Sequence, residues 1–353
     1  MMRLDPDADR RTAAVPLLPG FARTPLPVAR RSSRRPVVSV CIPNWNCRDL
    51  LRQCLRSLTA RRQGVRLEVI VVDNASSDGA ADLVAAEFPR VRLIRNPANR
   101  GYARACNQAA RLARGRYLFF LNNDTVLPRH ALGRLCAYAR ANPHIGLLGP
   151  RLRDGAGKVQ HSARAMPRVP ALLHRLAILR WTGLFRSAYR RYRGRETDAE
   201  TTRSVEVLMG AAVLMPRRVW RRIGGWDEGY AFGGEDIDLC ARVSGARQAV
   251  VYHPAVEITH FGRVSSRQLT GFVHASTLIG ITRSLRQTGT RSAALFAYKL
   301  AFTLDLPFRA LALGGQYLQA RIRGRSEAAE RAWQDLVGLG YLLRHGMSGF
   351  WRA

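Results

Sequence analysis

The stretch Tyr117–Asp124, which reads YLFFLNND, constrains the fold most, because an apolar run ends abruptly in two amides and a carboxylate. An apolar run of about four to eight residues with a polar cluster at its C-terminal end is typical of a buried parallel strand. Ligands of open α/β sheets bind just beyond the carboxyl ends of such strands. Asp124 is therefore a candidate ligand for a metal ion or a charged substrate, although Asn and Asp are also common in ordinary turns.

Three more strand-like segments precede this stretch and alternate with helix-like ones. Such alternation is typical of βαβ units, so the predicted fold class is α/β with a mostly parallel central sheet flanked by helices. The predicted helices begin at about Arg48, after Gly79 and at about Tyr102. The predicted strands are Val37–Ile42, Leu67–Val72, Val91–Arg95 and Tyr117–Leu121.

Polar residues follow each of these predicted strands. Any one of them could belong to an ordinary loop, but the carboxyl ends of parallel strands meet at one edge of a sheet, so together they predict a site. In chain order they are Asn44 and Asn46, Asp73, Asn99, and Asp124.

The chain is strongly basic, with 57 Lys and Arg against 25 Asp and Glu and a formal net charge of +32. Only Lys158 and Lys299 are lysines, a bias that we attribute to a GC-rich genome more than to arginine chemistry. The charge implies an anionic partner: nucleic acid, an anionic membrane surface or phosphate-bearing substrates. The basic residues are spread along the chain without an aromatic RNA-binding stripe or a helix-turn-helix pattern, which disfavours nucleic acid.

Several features indicate a cytoplasmic protein. The six cysteines form no CxxC pair and are read as buried thiols in a reducing compartment. Residues 1–36, rich in Arg, Pro and Ala, predict a disordered basic arm with no apolar signal-peptide core. The longest uncharged C-terminal stretch, Gln268–Thr282, is too short to span a bilayer. We therefore predict a chain that contacts the inner face of the cell membrane without crossing it.

Seven segments carry recognisable motifs. They are VSVCIPNWN at 38–46, VIVVDNASSDG at 69–79, NPANRGYARACNQA at 96–109, YLFFLNNDT at 117–125, GAAVLMPR at 210–217, GGWDEGYAFGGEDIDLCAR at 224–242 and HPAVEITHFGRVSS at 253–266. In order and spacing they resemble family 2 glycosyltransferases of the GT-A fold, in the rhamnosyltransferase-like branch. The resemblance covers roughly residues 37–266 and implies a GT-A domain there, followed by a helical region at 267–353.

The resemblance implies a site for a nucleotide sugar. Asp73 matches the carboxylate that holds the base, which can accept a hydrogen bond from a pyrimidine ring N–H. The turn Asn99–Gly101 matches the nucleotide-contacting turn, where a helix start favours anions, and Arg100 is a candidate partner of the diphosphate. The remaining candidates for nucleotide-sugar binding are Pro43, Asn44, Asn122 and Asn123.

The resemblance also implies a divalent metal, Mn²⁺ or Mg²⁺. Asp124 matches the last position of the family's DxD motif, which here reads Asn122–Asn123–Asp124 and keeps one carboxylate. His260 matches a histidine that supplies another ligand in this branch, and imidazole suits Mn²⁺ better than Mg²⁺. An enzyme that has lost metal dependence is an open alternative.

The segment GGEDID at 233–238 implies the catalytic groups. Asp236 matches the catalytic base and Glu235 would orient the acceptor hydroxyl, although acids in a first helical turn are also favoured by the helix dipole. Asp238 is expected to pair with Arg242 one turn later. The residues implied for the acceptor pocket are Gly210, Trp226 and Gly234, where Trp226 could equally be a core residue and Gly234 would let the backbone approach the sugar.

The C-terminal third predicts helices at Phe272–Leu285, Ala293–Arg323 and Ala328–Leu343. They could pack onto the catalytic domain or lie at a membrane surface with arginines facing lipid head groups. The implied activity is inverting transfer of rhamnose from dTDP-rhamnose to a hydroxyl of a cell-envelope glycan or a polyprenyl-linked acceptor. A UDP-sugar donor is one alternative, and a basic nucleic-acid-binding protein is an alternative of another class.

Overall fold

The strands and helices below come from a computed structural model, which describes residues 35–59, 62–194, 200–262 and 266–353. Almost all of the predicted basic arm at 1–36 lies outside these residues. The strands are β1 (Val38–Asn44), β2 (Leu67–Asp73), β3 (Arg92–Arg95), β4 (Tyr117–Leu121), β5 (Thr125–Val126), β6 (Ile145–Arg153), β7 (Val159–Gln160), β8 (Ala163–Arg164), β9 (Arg203–Ser204), β10 (Val207–Leu208), β11 (Ala212–Pro216) and β12 (Ala249–His260).

The helices alternate with the first four strands as predicted. They are α1 (Arg48–Thr59), α2 (Ala80–Glu87), α3 (Tyr102–Leu112), α4 (Ala131–Ala141), α5 (Val169–Leu173), α6 (Ala177–Thr182), α7 (Arg186–Tyr192), α8 (Arg217–Ile223), α9 (Glu235–Gly245), α10 (Thr270–Gln287), α11 (Ser292–Ile322), α12 (Ser326–Tyr341) and α13 (Met347–Arg352). A 3₁₀ turn at Ser266–Leu269 precedes α10, and a π-helical turn at Leu342–Gly346 joins α12 to α13.

The central sheet has the strand order β3-β2-β1-β4-β11-β6-β12-β5 within the described residues. Strands β3, β2, β1 and β4 are mutually parallel, and β6 is parallel to β12. Strand β11 joins the two parallel groups because it runs antiparallel to both β4 and β6. The predicted α/β class with a mostly parallel central sheet is therefore confirmed.

Strand β4 is buried on both faces, as its continuous apolar sequence predicts. Since side chains alternate along a strand, Leu118 and Phe120 enter one hydrophobic core, whereas Phe119 and Leu121 enter the other. The first core also contains residues of α3 and α9, and the second contains residues of α1, α2 and α4. Helices thus cover both faces, which leaves the carboxyl edge of the strands as the place where polar side chains gather.

The C-terminal helices continue the first core. Ala275, Ile281 and Leu285 of α10 and Phe350 of α13 are buried in it. Helix α10 approaches the loop before α9 so closely that a Cβ on Gly280 would lie 1.9 Å from the carbonyl oxygen of Gly233. The predicted helices are confirmed, and they pack onto the catalytic domain.

Helix α11 is 31 residues long and carries an exposed apolar face. Its exposed residues recur at helical spacing and form one stripe, called here the apolar stripe: Phe296, Leu300, Leu304, Phe308, Leu311, Leu318 and Ile322. Trp181 of the neighbouring helix α6 is 88% exposed. None of the helices that the structure describes combines the length and the hydropathy needed to cross a bilayer.

Candidate active site

Three strand ends are joined by a chain of buried hydrogen bonds, called here the strand-end network. Asn123, after β4, donates from Nδ2 to Oδ1 of Asn44 at 2.7 Å, and Asn44 donates from Nδ2 to Oδ1 of Asp73 at 2.9 Å. Asp73 also accepts from Ser76, at 2.6 Å from its hydroxyl and 3.0 Å from its backbone N–H. The predicted residues Asn44, Asp73 and Asn123 are thus brought together because β4, β1 and β2 are adjacent parallel strands.

The turn before α3 lies next to this network. The amide Nδ2 of Asn74 donates to the backbone oxygen of Gly101 at 3.3 Å, which ties the turn to the end of β2. Asn99 accepts from the N–H of Gly101 at 2.9 Å and so braces its own turn, where Gly101 adopts a φ of 84°. Arg100 is exposed, and no polar contact of its side chain is seen among the described residues. Pro43 is buried in β1, one residue before Asn44.

Asp124 and His260 meet at the opposite side of β4. Strand β12 pairs antiparallel with β5, with His260 opposite Thr125, and this pairing places the imidazole beside Asp124. Nε2 of His260 lies 3.4 Å from Oδ1 of Asp124 and 3.3 Å from Nδ2 of Asn122. Both Asp124 and His260 are buried, at 5% and 7% exposure.

Gln160 fixes the tautomer of His260. Its Nε2 donates to the backbone oxygen of His260 at 2.7 Å, so its Oε1 is the atom 2.8 Å from Nδ1 of the imidazole. An amide oxygen only accepts, so Nδ1 carries the proton. Nε2 is therefore left with a lone pair directed at Asp124 and Asn122, as a metal-binding histidine requires.

This arrangement fits a divalent cation. Among the described residues, Oδ1 of Asp124 and Oδ1 of Asn122 are both buried without a hydrogen-bond partner, which is costly for a carboxylate unless a cation compensates it. Oxygen and imidazole donors are suitable for Mn²⁺. No cluster of three or more His, Cys, Asp or Glu side chains able to hold a metal occurs in the described ranges.

Asp236 lies in the first turn of α9 and is paired with an arginine that the sequence did not indicate. Nη2 of Arg164 lies 2.9 Å from Oδ2 of Asp236, and the N–H of Ile237 donates to Oδ1 at 2.9 Å. Burial disfavours the charged form of Arg164, but Asp236 and other neighbours outweigh it and raise the pKa of the guanidinium. The pair fixes the direction in which the carboxylate points.

Glu235 lies in a less polar setting than Asp236. Burial, and then the charge of Asp236, raise the pKa of Glu235 to about 7. Its Oε2 is buried without a hydrogen-bond partner in the described part of the chain. A carboxyl that titrates near neutral pH is suited to exchanging protons or binding a hydroxyl.

The three residues predicted for an acceptor pocket lie around Asp236, but not all face open space. A Cβ on Gly210 would lie 3.5 Å from Cβ of Asp236 and 3.3 Å from the ring of Trp226. Trp226 is 2% exposed and packs edge-on against Tyr102 and Phe120, so the structure places it in the core.

Gly234 has a φ of 94° and lies against Gly280 of α10, where a Cβ would meet backbone at 2.8 Å. The glycine therefore allows the close approach of α10, whereas the sequence suggested an approach to a sugar. The prediction for Asp238 is confirmed, because it accepts from Nε of Arg242 at 2.9 Å.

Gln160 and Arg164 are the site residues that sequence reasoning missed. They lie on the two-residue strands β7 and β8, which are too short to show a hydrophobic period. The only signal was chemical: a polar amide and an arginine between Gly157 and Pro167. Their roles depend on partners far along the chain, His260 and Asp236.

The fold defines a protein of the GT-A class, and the comparisons agree. The model of the family described as Glycosyl transferase family 2 matches residues 39–221. The chain therefore belongs to glycosyl transferase family 2, and the rhamnosyltransferase-like resemblance is supported by its relatives.

One relative is the N-acetylglucosaminyl-diphospho-decaprenol L-rhamnosyltransferase of Mycobacterium tuberculosis, 31% identical over 207 residues. The match covers 55% of this chain and 66% of that protein, slightly less than two thirds of it. The O-antigen biosynthesis protein RfbC of Myxococcus xanthus is 28% identical over 66% of this chain and 18% of its own length.

Solved structures support the fold. The mannosyltransferase PcManGT from Pyrobaculum calidifontis, in complex with GDP-Man and Mn²⁺, superposes with a TM-score of 0.52 at 20% identity. The superposition covers 91% of this chain and 88% of that one. GalNAc-T7 with UDP, GalNAc and Mn²⁺ gives a TM-score of 0.51 at 16% identity, over 72% of this chain and 48% of that chain.

Proposed function

We propose that this glycosyltransferase is an inverting enzyme that transfers rhamnose from dTDP-rhamnose to a hydroxyl of a lipid-linked glycan. The observation that carries the proposal is the meeting of three groups at one edge of the sheet: the strand-end network, the Asp124–His260 pair and the Asp236–Glu235 start of α9. Each group supplies one requirement of the reaction: a site for the nucleotide, one for the leaving diphosphate, and a base.

In this proposal Asp73 and Asn44 bind the nucleotide base and ribose. Among the described residues, Oδ2 of Asp73 accepts only the backbone N–H of Ser76, which leaves a lone pair for a pyrimidine N–H. A uracil and a thymine offer the same N–H, so a UDP-sugar is the competing donor. Asp124 and His260 would hold a divalent metal, which when bound supplies Lewis-acid stabilisation of the leaving diphosphate.

Asp236 acts as the general base. The acceptor hydroxyl oxygen forms a bond to the anomeric carbon while its proton passes to the Asp236 carboxylate. The bond from the anomeric carbon to the diphosphate oxygen breaks, and its electron pair leaves with the nucleoside diphosphate. Attack from the face opposite the leaving group inverts the anomeric centre. Arg164 holds the carboxylate in place, and Glu235 orients the hydroxyl.

The acceptor is proposed to be lipid-linked and met at the membrane surface. The apolar stripe on α11 and Trp181 expose apolar side chains on the C-terminal layer of a chain with a net charge of +32. Apolar residues combined with basic ones favour binding to the interface of an anionic bilayer. The mycobacterial relative is named for a decaprenol-linked acceptor, which supports the same substrate class.

A thermal-shift screen of nucleotide sugars, with and without Mn²⁺, tests the proposal. A ligand that binds only the native state raises stability by RT ln(1 + [L]/Kd), so the true donor gives the largest rise. We expect dTDP-rhamnose to exceed UDP-sugars, GDP-mannose and the free sugars, and its effect to require Mn²⁺. A larger thermal shift with a UDP-sugar would show that the donor is a UDP-sugar and not dTDP-rhamnose. An undiminished shift in excess chelator would show that donor binding does not require a metal.

A further inference from the structure

A cavity of about 920 Å³ lies among α5, α6, α7 and α11 and is called here the basic cavity. None of the described residues that line it is acidic. Its basic lining consists of two histidines, one of which is His161, and the five arginines Arg175, Arg180, Arg186, Arg190 and Arg309.

Three of these arginines have no counter-ion in the described part of the chain. Arg175, Arg180 and Arg309 form no ion pair there. Burial, and then the charge of Arg175, lower the pKa of Arg309. Cations gathered in this way repel one another, and a bound anion would relieve the repulsion.

The nearby carboxylate of Asp305 is already committed. It is 2% exposed and accepts the first N–H groups of α6, from Ala177 at 2.8 Å and from Ile178 at 3.1 Å. It therefore anchors α6 to α11, and with Asp335 it only partly offsets the lowering of the Arg309 pKa by burial and Arg175.

A second cavity, of about 1110 Å³, adjoins the first and is called here the apolar cavity. The two share Arg175, Arg180, Trp181 and Arg309. Leu278, Phe302, Leu313 and Leu339 of α10, α11 and α12 form part of its lining, together with polar side chains that include Gln316 and Asp335. The same helix α11 carries the apolar stripe on its exposed face.

Both cavities border the candidate active site. His161 of the basic cavity follows Gln160, which holds His260. Phe232 of the apolar cavity directly precedes the Gly233–Gly234 turn that opens α9. Each cavity thus has a lining residue that is next in sequence to a residue or turn of the candidate site.

We propose that the two cavities form one site for a prenyl diphosphate, which is the lipid carrier of the acceptor sugar. This inference rests on the proposed function, since it names the acceptor that the same reaction centre uses. Planar guanidinium groups bind phosphate oxygens bidentately, so the arginines match a diphosphate. The apolar cavity matches the hydrocarbon chain, which a phosphopeptide or a nucleic acid does not have.

Calorimetric titration of the full chain with farnesyl diphosphate, farnesol and inorganic diphosphate, in the absence of metal and donor, tests this site. We expect farnesyl diphosphate to bind at least about tenfold more tightly than either of its two parts, because both cavities are then occupied. The double substitution Arg180→Gln with Arg309→Gln should weaken that binding by about tenfold or more, since two charged contacts are lost. The matched control Arg222→Gln, an exposed arginine of α8, should leave it unchanged.

Equal affinity for inorganic diphosphate, or a double variant that binds like the wild type, would overturn the inference. Because Arg309 is partly buried, the exposed Arg180→Gln alone serves as a variant that leaves the fold intact, with an expected loss of about threefold. Titration of the same protein with dTDP-rhamnose and Mn²⁺ separates the two hypotheses. Nucleotide binding without farnesyl diphosphate binding refutes the lipid site alone, whereas farnesyl diphosphate binding without nucleotide binding refutes the proposed function alone.

Discussion

The carboxyl edge of the sheet and the C-terminal helical layer differ in how far their side chains are buried and paired within the protein. In the strand-end network, Asn44, Asp73 and Asn123 are buried and bonded to one another before any ligand arrives. Around α11 of the C-terminal layer, Arg309 and the neighbouring Arg175 form no ion pair among the described residues, and Trp181 of the adjacent helix α6 is 88% exposed. The first region is preorganised, whereas the second is completed only by a partner.

This difference indicates that the sheet edge determines which ligand is selected, whereas the helical layer determines binding to a surface. A satisfied network holds its shape and can distinguish ligands by a single hydrogen bond. Unpaired cations and an exposed apolar stripe offer affinity for a class of partner, an anionic amphiphile, with little geometric demand. Substitutions in the first region should therefore affect chemistry, and those in the second should affect binding at the membrane.

The largest effect is expected from Asp236→Asn. Loss of the base should lower kcat by about 10²–10⁴-fold, while the Kd of the nucleotide sugar stays the same because Asp236 is outside the nucleotide site. Initial rates with a lipid-linked acceptor and a calorimetric Kd measure the two quantities. Asp49→Asn, at a carboxylate with 71% of its side chain exposed, is the matched control. Near-wild-type activity of Asp236→Asn would show that another group accepts the proton.

Asp124→Asn tests whether the first region owes its ligand affinity to a metal. The buried Oδ1 without a hydrogen-bond partner would then be an amide, which is a weaker ligand for a hard cation. At a nucleotide concentration 100 times the Kd, the wild type should gain about 2.7 kcal/mol of stability in Mn²⁺, and the variant should lose most of that gain. Thermal shifts with nucleoside diphosphate measure it, and an equal Mn²⁺ effect in both proteins would contradict the assignment.

Substitutions in the apolar stripe should change membrane binding and leave stability nearly unchanged. Replacing Leu304 and Leu311, at 63% and 74% exposure, by Gln should weaken binding to anionic phospholipid vesicles by roughly tenfold because apolar area leaves the bilayer. Stability should change by less than about 0.5 kcal/mol, since both side chains are exposed. Vesicle sedimentation measures the binding, with zwitterionic vesicles as the reference. Unchanged vesicle binding would show that the apolar stripe does not contribute to membrane binding.

The last prediction concerns pH. Because the pKa of Glu235 is raised to about 7, the native state binds more protons than the unfolded state between the ordinary Glu pKa and 7. The free energy of unfolding should therefore fall as pH rises through that window. Glu235→Gln removes this contribution, so the wild type should lose on the order of 2 kcal/mol more than the variant between pH 5 and pH 8. Urea unfolding at both pH values measures the difference, and parallel pH dependence would refute it.

Most of the nucleotide half of the fold could be predicted from local sequence. The strands β1–β4 appear as apolar runs, and Asn44, Asp73 and Asp124 follow them at positions that the sheet brings to one edge. The acceptor half could not be predicted in this way. Gln160 and Arg164 acquire their roles through contacts with His260 and Asp236, which no local period encodes.

Trp226 and Gly234 show why sequence alone left alternatives open. A tryptophan beside a catalytic loop fits a pocket or a core equally well, and only the packing of Tyr102 and Phe120 around the ring places it in the core. A glycine pair before a helix permits the close approach of another segment or a ligand, but the sequence does not identify which. In the structure, α10 makes this close approach.

The sequence by itself determined the strand-end chemistry, because the alternation of apolar runs and helices dictates a parallel sheet whose polar termini converge. Tertiary structure decided the state of that chemistry. Tertiary contacts determine the tautomer of His260 through Gln160 and place Arg164 beside Asp236. They leave Oδ1 of Asp124 without a hydrogen bond among the described residues. These properties arise from distances between residues far apart in the chain, and such distances exist only after the core has packed.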